Sequence, residues 1–106
     1  MDLSQARNGL DGPLHSPVRL SILGALNSVD SVDYQTLKDA LGVSYSLLTK
    51  HLGVLEQASL VKVDKQFVSR TPVTNLKLTK QGRQQFENYL LCLDRIVQGL
   101  TAESMD

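Results

Sequence analysis

Residues Leu37 to Val61 read LKDALGVSYSLLTKHLGVLEQASLV. Two helical periods meet there across Gly42-Val43-Ser44. In the first, Leu37, Ala40 and Leu41 share one face, and Asp33 is placed to cap the helix. Gly42 follows at once, as suits a helix that ends in left-handed backbone. Ser44 caps the second helix, whose buried seam is Leu48, Leu52 and Leu55 at steps of four and three. Two helices of this size joined by a short turn containing glycine form a helix-turn-helix pattern. In such a pair the second helix enters the DNA major groove, and its N-terminal residues meet base edges. With the leucine seam buried, the outward residues are Tyr45, Ser46, Leu47, Thr49, Lys50 and Gly53.

Upstream, HSPVRLSILGALNS (His15 to Ser28) predicts another helix. Ser16 is a good N-cap, Pro17 suits the first helical position, and Val18, Ile22, Leu23 and Leu26 form one stripe. Before it, residues 1–13 contain Gly9, Gly12 and Pro13 without a sustained period. They predict an arm that is loose or docks on a partner. Downstream of Ser59 the period changes. In LVKVDKQFVSR, Val61, Val63 and Phe67 alternate with Lys62, Asp64 and Gln66, while Lys65 intrudes on the apolar face. In VTNLKLT, Leu76 and Leu78 oppose Asn75 and Lys77. Both read as strands. The segment between them, SRTPVT (residues 69–74), reads as a loop, which makes an antiparallel hairpin with Arg70 near its tip.

Thr79 can cap a final helix running from Lys80 to about Leu100. Its apolar positions are Phe86, Tyr89, Leu90, Leu93, Ile96, Val97 and Leu100, widened by Leu91 and Cys92. A domain this small already has a core from three helices and a hairpin. So long an apolar stripe predicts pairing with a second copy, a homodimer; the other reading is that it folds back on its own domain. The expected division is an arm at 1–13, a compact unit at 14–79 and a dimerisation helix with tail at 80–106. The fold class is α+β, mostly α.

Composition narrows the function. The chain has 106 residues, 42% hydrophobic and 21% charged, which suits one globular domain. No apolar run approaches the roughly 18 residues a bilayer span needs, and the polar start lacks the apolar core of a secretory signal. The expectation is a cytoplasmic protein with no membrane partner. A single cysteine, Cys92, excludes an internal disulfide and a multi-thiolate metal site, so no metal or cofactor is expected. Two histidines, one cysteine and no glycine-rich phosphate loop give no basis for an enzyme, and Asp30 and Asp33 are better used as caps. Net charge is zero, from 11 basic and 11 acidic residues, yet Ser44 to Arg83 holds seven basic residues against two acidic, a net +5. Such a chain can present one positive face.

The order of these elements resembles the small winged helix-turn-helix transcriptional regulators of the MarR/ArsR type. HSPVRLSIL (His15 to Leu23) resembles the opening of their first helix. Residues 37–61 resemble their LxxxLGxSxxxLSxHLxxLExxGLV pattern. FVSRTPVTNLKLTKQGRQQF (Phe67 to Phe86) resembles their wing and the LTxxGxxxF start of their last helix. The resemblance spans about Leu14 to Leu100. It implies DNA binding and, through it, repression by blocking polymerase. Three departures stand out. Ser59 replaces the usual glycine, Leu47 stands where a polar residue is frequent, and the cysteine-containing helix motif of metal sensors is missing.

On this reading helix 44–58 lies in the major groove and the wing, residues 69–74, in the minor groove. Ser46, Thr49 and Lys50 meet base edges or phosphates. Leu47 meets a thymine methyl or packs away. Ser44 suits capping better than reading, though helix N-termini attract phosphate. Tyr45 offers its hydroxyl to a phosphate or packs its ring in part. Gly53 allows a close approach or is a surface compromise. Arg70 is the minor-groove candidate, and Lys62, Lys65 and Lys77 are candidates for phosphates. His51 reads as a half-buried structural histidine ahead of a ligand, and His15 is uninformative. A pair of such domains presents its reading helices about 34 Å apart and calls for an inverted repeat in double-stranded DNA. The alternative is a winged-helix module that binds protein instead of DNA, favoured by the zero net charge and by Leu47. No residue cluster marks an effector pocket.

Overall fold

The computed structural model describes residues 1–104, with side chains to Leu100. In chain order the elements are α1 (Leu3–Asn8), a 3₁₀ turn (Gly12–Leu14), α2 (Pro17–Asn27), β1 (Val32–Asp33), α3 (Tyr34–Leu41), α4 (Tyr45–Gln57), β2 (Val61–Val68), β3 (Thr71–Leu78) and α5 (Lys80–Ser104). This is a winged helix: three helices packed on a three-stranded antiparallel sheet of order β1-β3-β2, followed by a long last helix. Side-chain oxygens close the helix starts as the sequence suggests. Ser16 accepts from Arg19 N–H, Asp33 from Thr36 N–H, Ser44 from Leu47 N–H and Thr79 from Gly82 N–H. Gly42 ends α3 at φ 64°, in the left-handed region.

The core joins Ile22, Leu23 and Leu26 of α2 to Leu37, to the α4 seam Leu48, Leu52 and Leu55, to Leu60 and Val61, and to Leu76 and Leu78 of β3. Ala40, expected beside Leu37, is exposed. Among the described residues no helix is long and apolar enough to cross a membrane.

Several expectations are corrected. The arm is not loose: Leu3–Asn8 form α1, which packs on α5 of its own chain and buries Ala6 completely. Asp2 and Gln5 make a reciprocal capping box, with Gln5 N–H donating to the Asp2 carboxylate at 2.7 Å and Asp2 N–H to Gln5 Oε1 at 2.9 Å. A side chain at Gly9 would collide with Cys92 Sγ, so Cys92 is buried under the arm and does not widen a free apolar face. Residues 71–74 are strand, not loop. The hairpin closes through Ser69 and Arg70 alone, both left-handed at φ 51° and 68°, and Val68 pairs with Thr71. Two consecutive positive φ angles make the type I′ geometry that matches strand twist. Phe67, expected on the apolar face, is 78% exposed, because the hairpin outruns the helices beneath it.

The last helix is corrected twice. Phe86 and Tyr89, expected in a dimer interface, lie in the core of their own chain. The helix also breaks at Gly99 (φ 63°, ψ −153°), so Leu100 does not extend the stripe. Arg95 marks the break by donating to the Gly99 carbonyl at 3.1 Å. Leu90, Leu91 and Val97 remain exposed, with Leu93 and Ile96 half-buried.

Candidate nucleic-acid interface

The outer edge of α4 stands free of the core. Ser44, Tyr45, Ser46, Thr49, Lys50 and Gly53 are all exposed, and Leu47 is half-buried. A Cβ at Gly53 would meet nothing of this chain. Between this edge and the wing runs an open groove of about 830 Å³, walled by Tyr45, Thr49, Gly53 and Glu56 on one side and by Lys65, Pro72, Val73 and Thr74 on the other. Asp33, Tyr34 and Gln35 form its end.

Strand register sorts the wing cations. Side chains alternate between the two sheet faces, and directly paired residues share a face. Val61, Val63 and Lys65 pair with Leu78, Leu76 and Thr74, so Lys65 belongs to the face that packs on the helices and lines the groove. Lys62 pairs with Lys77, and both lie on the opposite face of the sheet. Lys62 there faces Asp64 at 3.8 Å, an exposed pair of little energetic weight. The seven cations of the basic segment therefore do not form one continuous surface. Arg70 sits exposed at the turn of the wing.

Two carboxylates temper the groove. Glu56 is exposed on its wall. Asp33 is held below its ordinary carboxylate range, first by the Thr36 hydroxyl and then by the Thr36 N–H, so it stays ionised.

One residue that the sequence did not single out organises the site. Tyr34, first in α3, sends its hydroxyl to α4, where it donates to the Tyr45 carbonyl at 3.1 Å and meets Thr49 Oγ1 at 2.6 Å. Its ring lies against that of Tyr45, with centroids 5.2 Å apart and planes tilted by 41°. Tyr45 thus packs in part while staying 66% exposed. The ring of Tyr34 also packs against the core, so an aromatic residue directly after a helix cap is the only sequence signal that marks it.

The two histidines are structural partners. His51 is half-buried, and its Nδ1 lies 3.0 Å from a guanidinium nitrogen of Arg19, whose Nε donates to the Pro13 carbonyl. Arginine only donates, so Nδ1 accepts and the ring proton sits on Nε2. Burial, then the charges of Arg19 and Lys50, hold His51 below its ordinary range. His15 Nδ1 meets the Tyr89 hydroxyl at 3.1 Å.

Comparison with known proteins agrees with this geometry. Residues 18–97 match the family described as winged helix DNA-binding domain. An uncharacterized protein of Methanocaldococcus jannaschii is 32% identical over 76 residues, covering 72% of this chain and 83% of that one. The structure of a transcriptional regulator homologue from Pyrococcus horikoshii OT3 superposes with a TM-score of 0.82 at 27% identity, over 89% of this chain and 94% of that one. A mutant MarR from E. coli, solved in complex with operator DNA, superposes with a TM-score of 0.67 at 23% identity, over 95% of this chain and 67% of that one. With its helix-turn-helix, its wing and its long last helix, this chain belongs to the winged helix DNA-binding domain family.

Proposed function

We propose that the protein is a cytoplasmic homodimeric repressor that reads an inverted repeat in double-stranded DNA, with α4 in the major groove and the wing in the adjacent minor groove. The observation that carries this reading is the groove itself. A polar helix edge on one side and a cation-tipped hairpin on the other leave a channel open to solvent along their length. Ser46, Thr49 and Lys50 take base edges, and Arg70 takes the minor groove, where a guanidinium is drawn to the narrow negative channel of A·T-rich sequence. Ser44, Tyr45 and Lys65 take phosphates. Lys62 and Lys77, on the far face of the sheet, are left out of the contact set, and half-buried Leu47 contributes at most an apolar edge. Likeness to the Pyrococcus regulator homologue and to the operator-bound MarR supports the assignment.

A protein-binding role is the second reading, favoured by the exposed Phe67 and Val68 at the wing tip. Fluorescence anisotropy with genomic duplex fragments at two salt concentrations separates the two. Three cations per protomer, Lys50, Lys65 and Arg70, enter the duplex's counterion atmosphere whichever group each one bonds; if each neutralises the equivalent of one phosphate, a dimer has a log–log salt slope near −5, at about 0.9 per charge neutralised. Arg70→Ala should weaken every sequence and flatten that slope, whereas Ser46→Ala or Lys50→Ala should change which sequences bind best. Absence of binding at both salt concentrations would leave the protein-binding role.

A further inference from the structure

We propose that Tyr34 fixes Thr49 as a hydrogen-bond acceptor, so that α4 selects an amino-bearing base, adenine or cytosine, at the position Thr49 meets. The inference deepens the reading of α4 as the base-contacting helix and rests on it.

The argument is proton accounting across three oxygens. The Tyr34 hydroxyl lies 3.1 Å from the Tyr45 carbonyl and 2.6 Å from Thr49 Oγ1. A carbonyl only accepts, and a phenol carries one proton. The Tyr45 contact is therefore a hydrogen bond only if the Tyr34 proton points at that carbonyl. The 2.6 Å contact then needs the Thr49 proton, which must point at Tyr34. This arrangement satisfies both contacts with the two protons present; the reverse leaves two oxygens facing each other without one. Thr49 is exposed on the groove wall, and with its proton committed it offers the groove only lone pairs.

A free threonine hydroxyl rotates and serves either a donor or an acceptor, so it discriminates little. A threonine locked as acceptor discriminates by charge pattern. In the major groove cytosine N4 presents an N–H donor and adenine an N6 donor beside its N7 acceptor, while guanine (O6, N7) and thymine (O4) present no donor at all. The locked oxygen attracts the first pair and opposes the second. Tyr34 touches no base in this scheme. It is a positioning residue from the helix ahead of the reading helix, and its effect is confined to the base under Thr49.

The test is selection from a randomised duplex pool with the wild-type chain, Tyr34→Phe, Thr49→Ser and Thr49→Val. Wild type should recover one position per half-site restricted to adenine or cytosine by roughly fivefold, the worth of one hydrogen bond. Tyr34→Phe frees the threonine proton and should bring that position within about twofold of no preference, with the other positions intact. Thr49→Ser should keep the restriction and Thr49→Val should lose it. Circular dichroism of each variant confirms the fold. A guanine or thymine preference in wild type overturns the inference, and so does a Tyr34→Phe profile that is unchanged or blurred equally at every position. If the wild-type chain recovers no sequence at all, the DNA reading itself fails and this inference with it.

Discussion

Arg19 and His51 hold each other across the back of α4, and their chemistry sets a pH dependence. The Arg19 guanidinium can only donate, so its bond to Nδ1 exists only while that nitrogen is unprotonated. Burial and the two nearby cations lower the His51 pKa from 6.5. A group whose folded pKa lies below its unfolded one binds fewer protons when folded, so stability rises with pH across that interval. The contribution of His51 is complete above pH 6.5 and is lost as pH falls from there through the folded value. A histidine NMR titration should place the His51 midpoint below 6.5 and move it upward in Arg19→Gln; a midpoint at or above 6.5 in the native chain would contradict the contact. Ser59 makes a different single-residue case. It stands at φ 63° after α4, where Ser59 N–H donates to Glu56 O at 3.0 Å and Leu60 N–H to Leu55 O at 2.9 Å. That pair of bonds is the Schellman ending that normally takes glycine, because an L side chain in left-handed backbone is strained. Against the larger unfolded entropy of glycine, relief of that strain should leave Ser59→Gly more stable by about 0.5–1 kcal/mol. Urea denaturation checks it, and an unchanged midpoint would mean that Ser59 is not strained.

At the scale of elements the junction between α4, the wing and α5 is held by one short clip. The Thr79 hydroxyl donates to the Ser59 carbonyl at 2.7 Å while accepting from Gly82 N–H at 2.9 Å, and Thr79 N–H donates to the Leu60 carbonyl at 3.1 Å. Gly82 is buried so closely on this clip that a Cβ would collide with the Leu60 carbonyl oxygen and approach Leu78 Cδ1 at 2.9 Å. Gly82→Ala should therefore destabilise the fold by about 1–3 kcal/mol, as overpacking does, despite the better helix propensity of alanine. A stability equal to that of the native chain would show that α5 can slide on the wing. The motif LTxxGxxxF was legible in the sequence, but its cause, a carbonyl pressed against a helix start, needed the third dimension. What could be read was whatever carries a local signature. Caps at Ser16, Asp33, Ser44 and Thr79, the leucine seam of α4 and the glycine at 42 each announce their element within a few residues. Other features were hidden for physical reasons. Helix α1 has too few turns to show a period, though its Asp2–Gln5 box was there to be read. Strand β1 is two residues long and exists only through pairing with Leu76 and Asn75. The wing turn adopts type I′ geometry with serine and arginine in place of the usual asparagine and glycine, so the segment read as a longer loop. The sorting of Lys62 and Lys77 away from Lys65 follows from register, which charge counting along the chain cannot supply.

The whole chain is larger than its mass requires. Its radius of gyration is 16.3 Å and its extents are 61 × 25 × 21 Å, where a compact domain of about 100 residues has a radius near 13 Å. Its accessible surface is 6914 Å², against about 5,900 Å² for a monomer of 11.7 kDa. Part of that surface is the stretch of α5 beyond the core, where Leu90, Leu91 and Val97 are 43%, 61% and 82% exposed. Apolar side chains so placed do little for a lone chain and gain about 25 cal/mol per Å² when a second copy covers them. If the protein works as the proposed dimer, the same surface also sets DNA affinity, because only a paired molecule presents two α4 helices to one face of the duplex. Val97→Glu separates the two roles of α5. Val97 touches solvent in the single chain, so the change should leave its own unfolding free energy within about 0.5 kcal/mol. Across a dimer seam the same carboxylate would be buried without a partner, at a cost of several kcal/mol. Light scattering at micromolar concentration should report twice the 11.7 kDa chain mass for the native protein and the single chain mass for Val97→Glu. On the proposed reading, the variant should bind a duplex carrying an inverted repeat far more weakly, since each half-site is then occupied independently. A native protein that scatters as one chain, or a variant that stays paired, would move the partner of α5 elsewhere and overturn the proposed dimer.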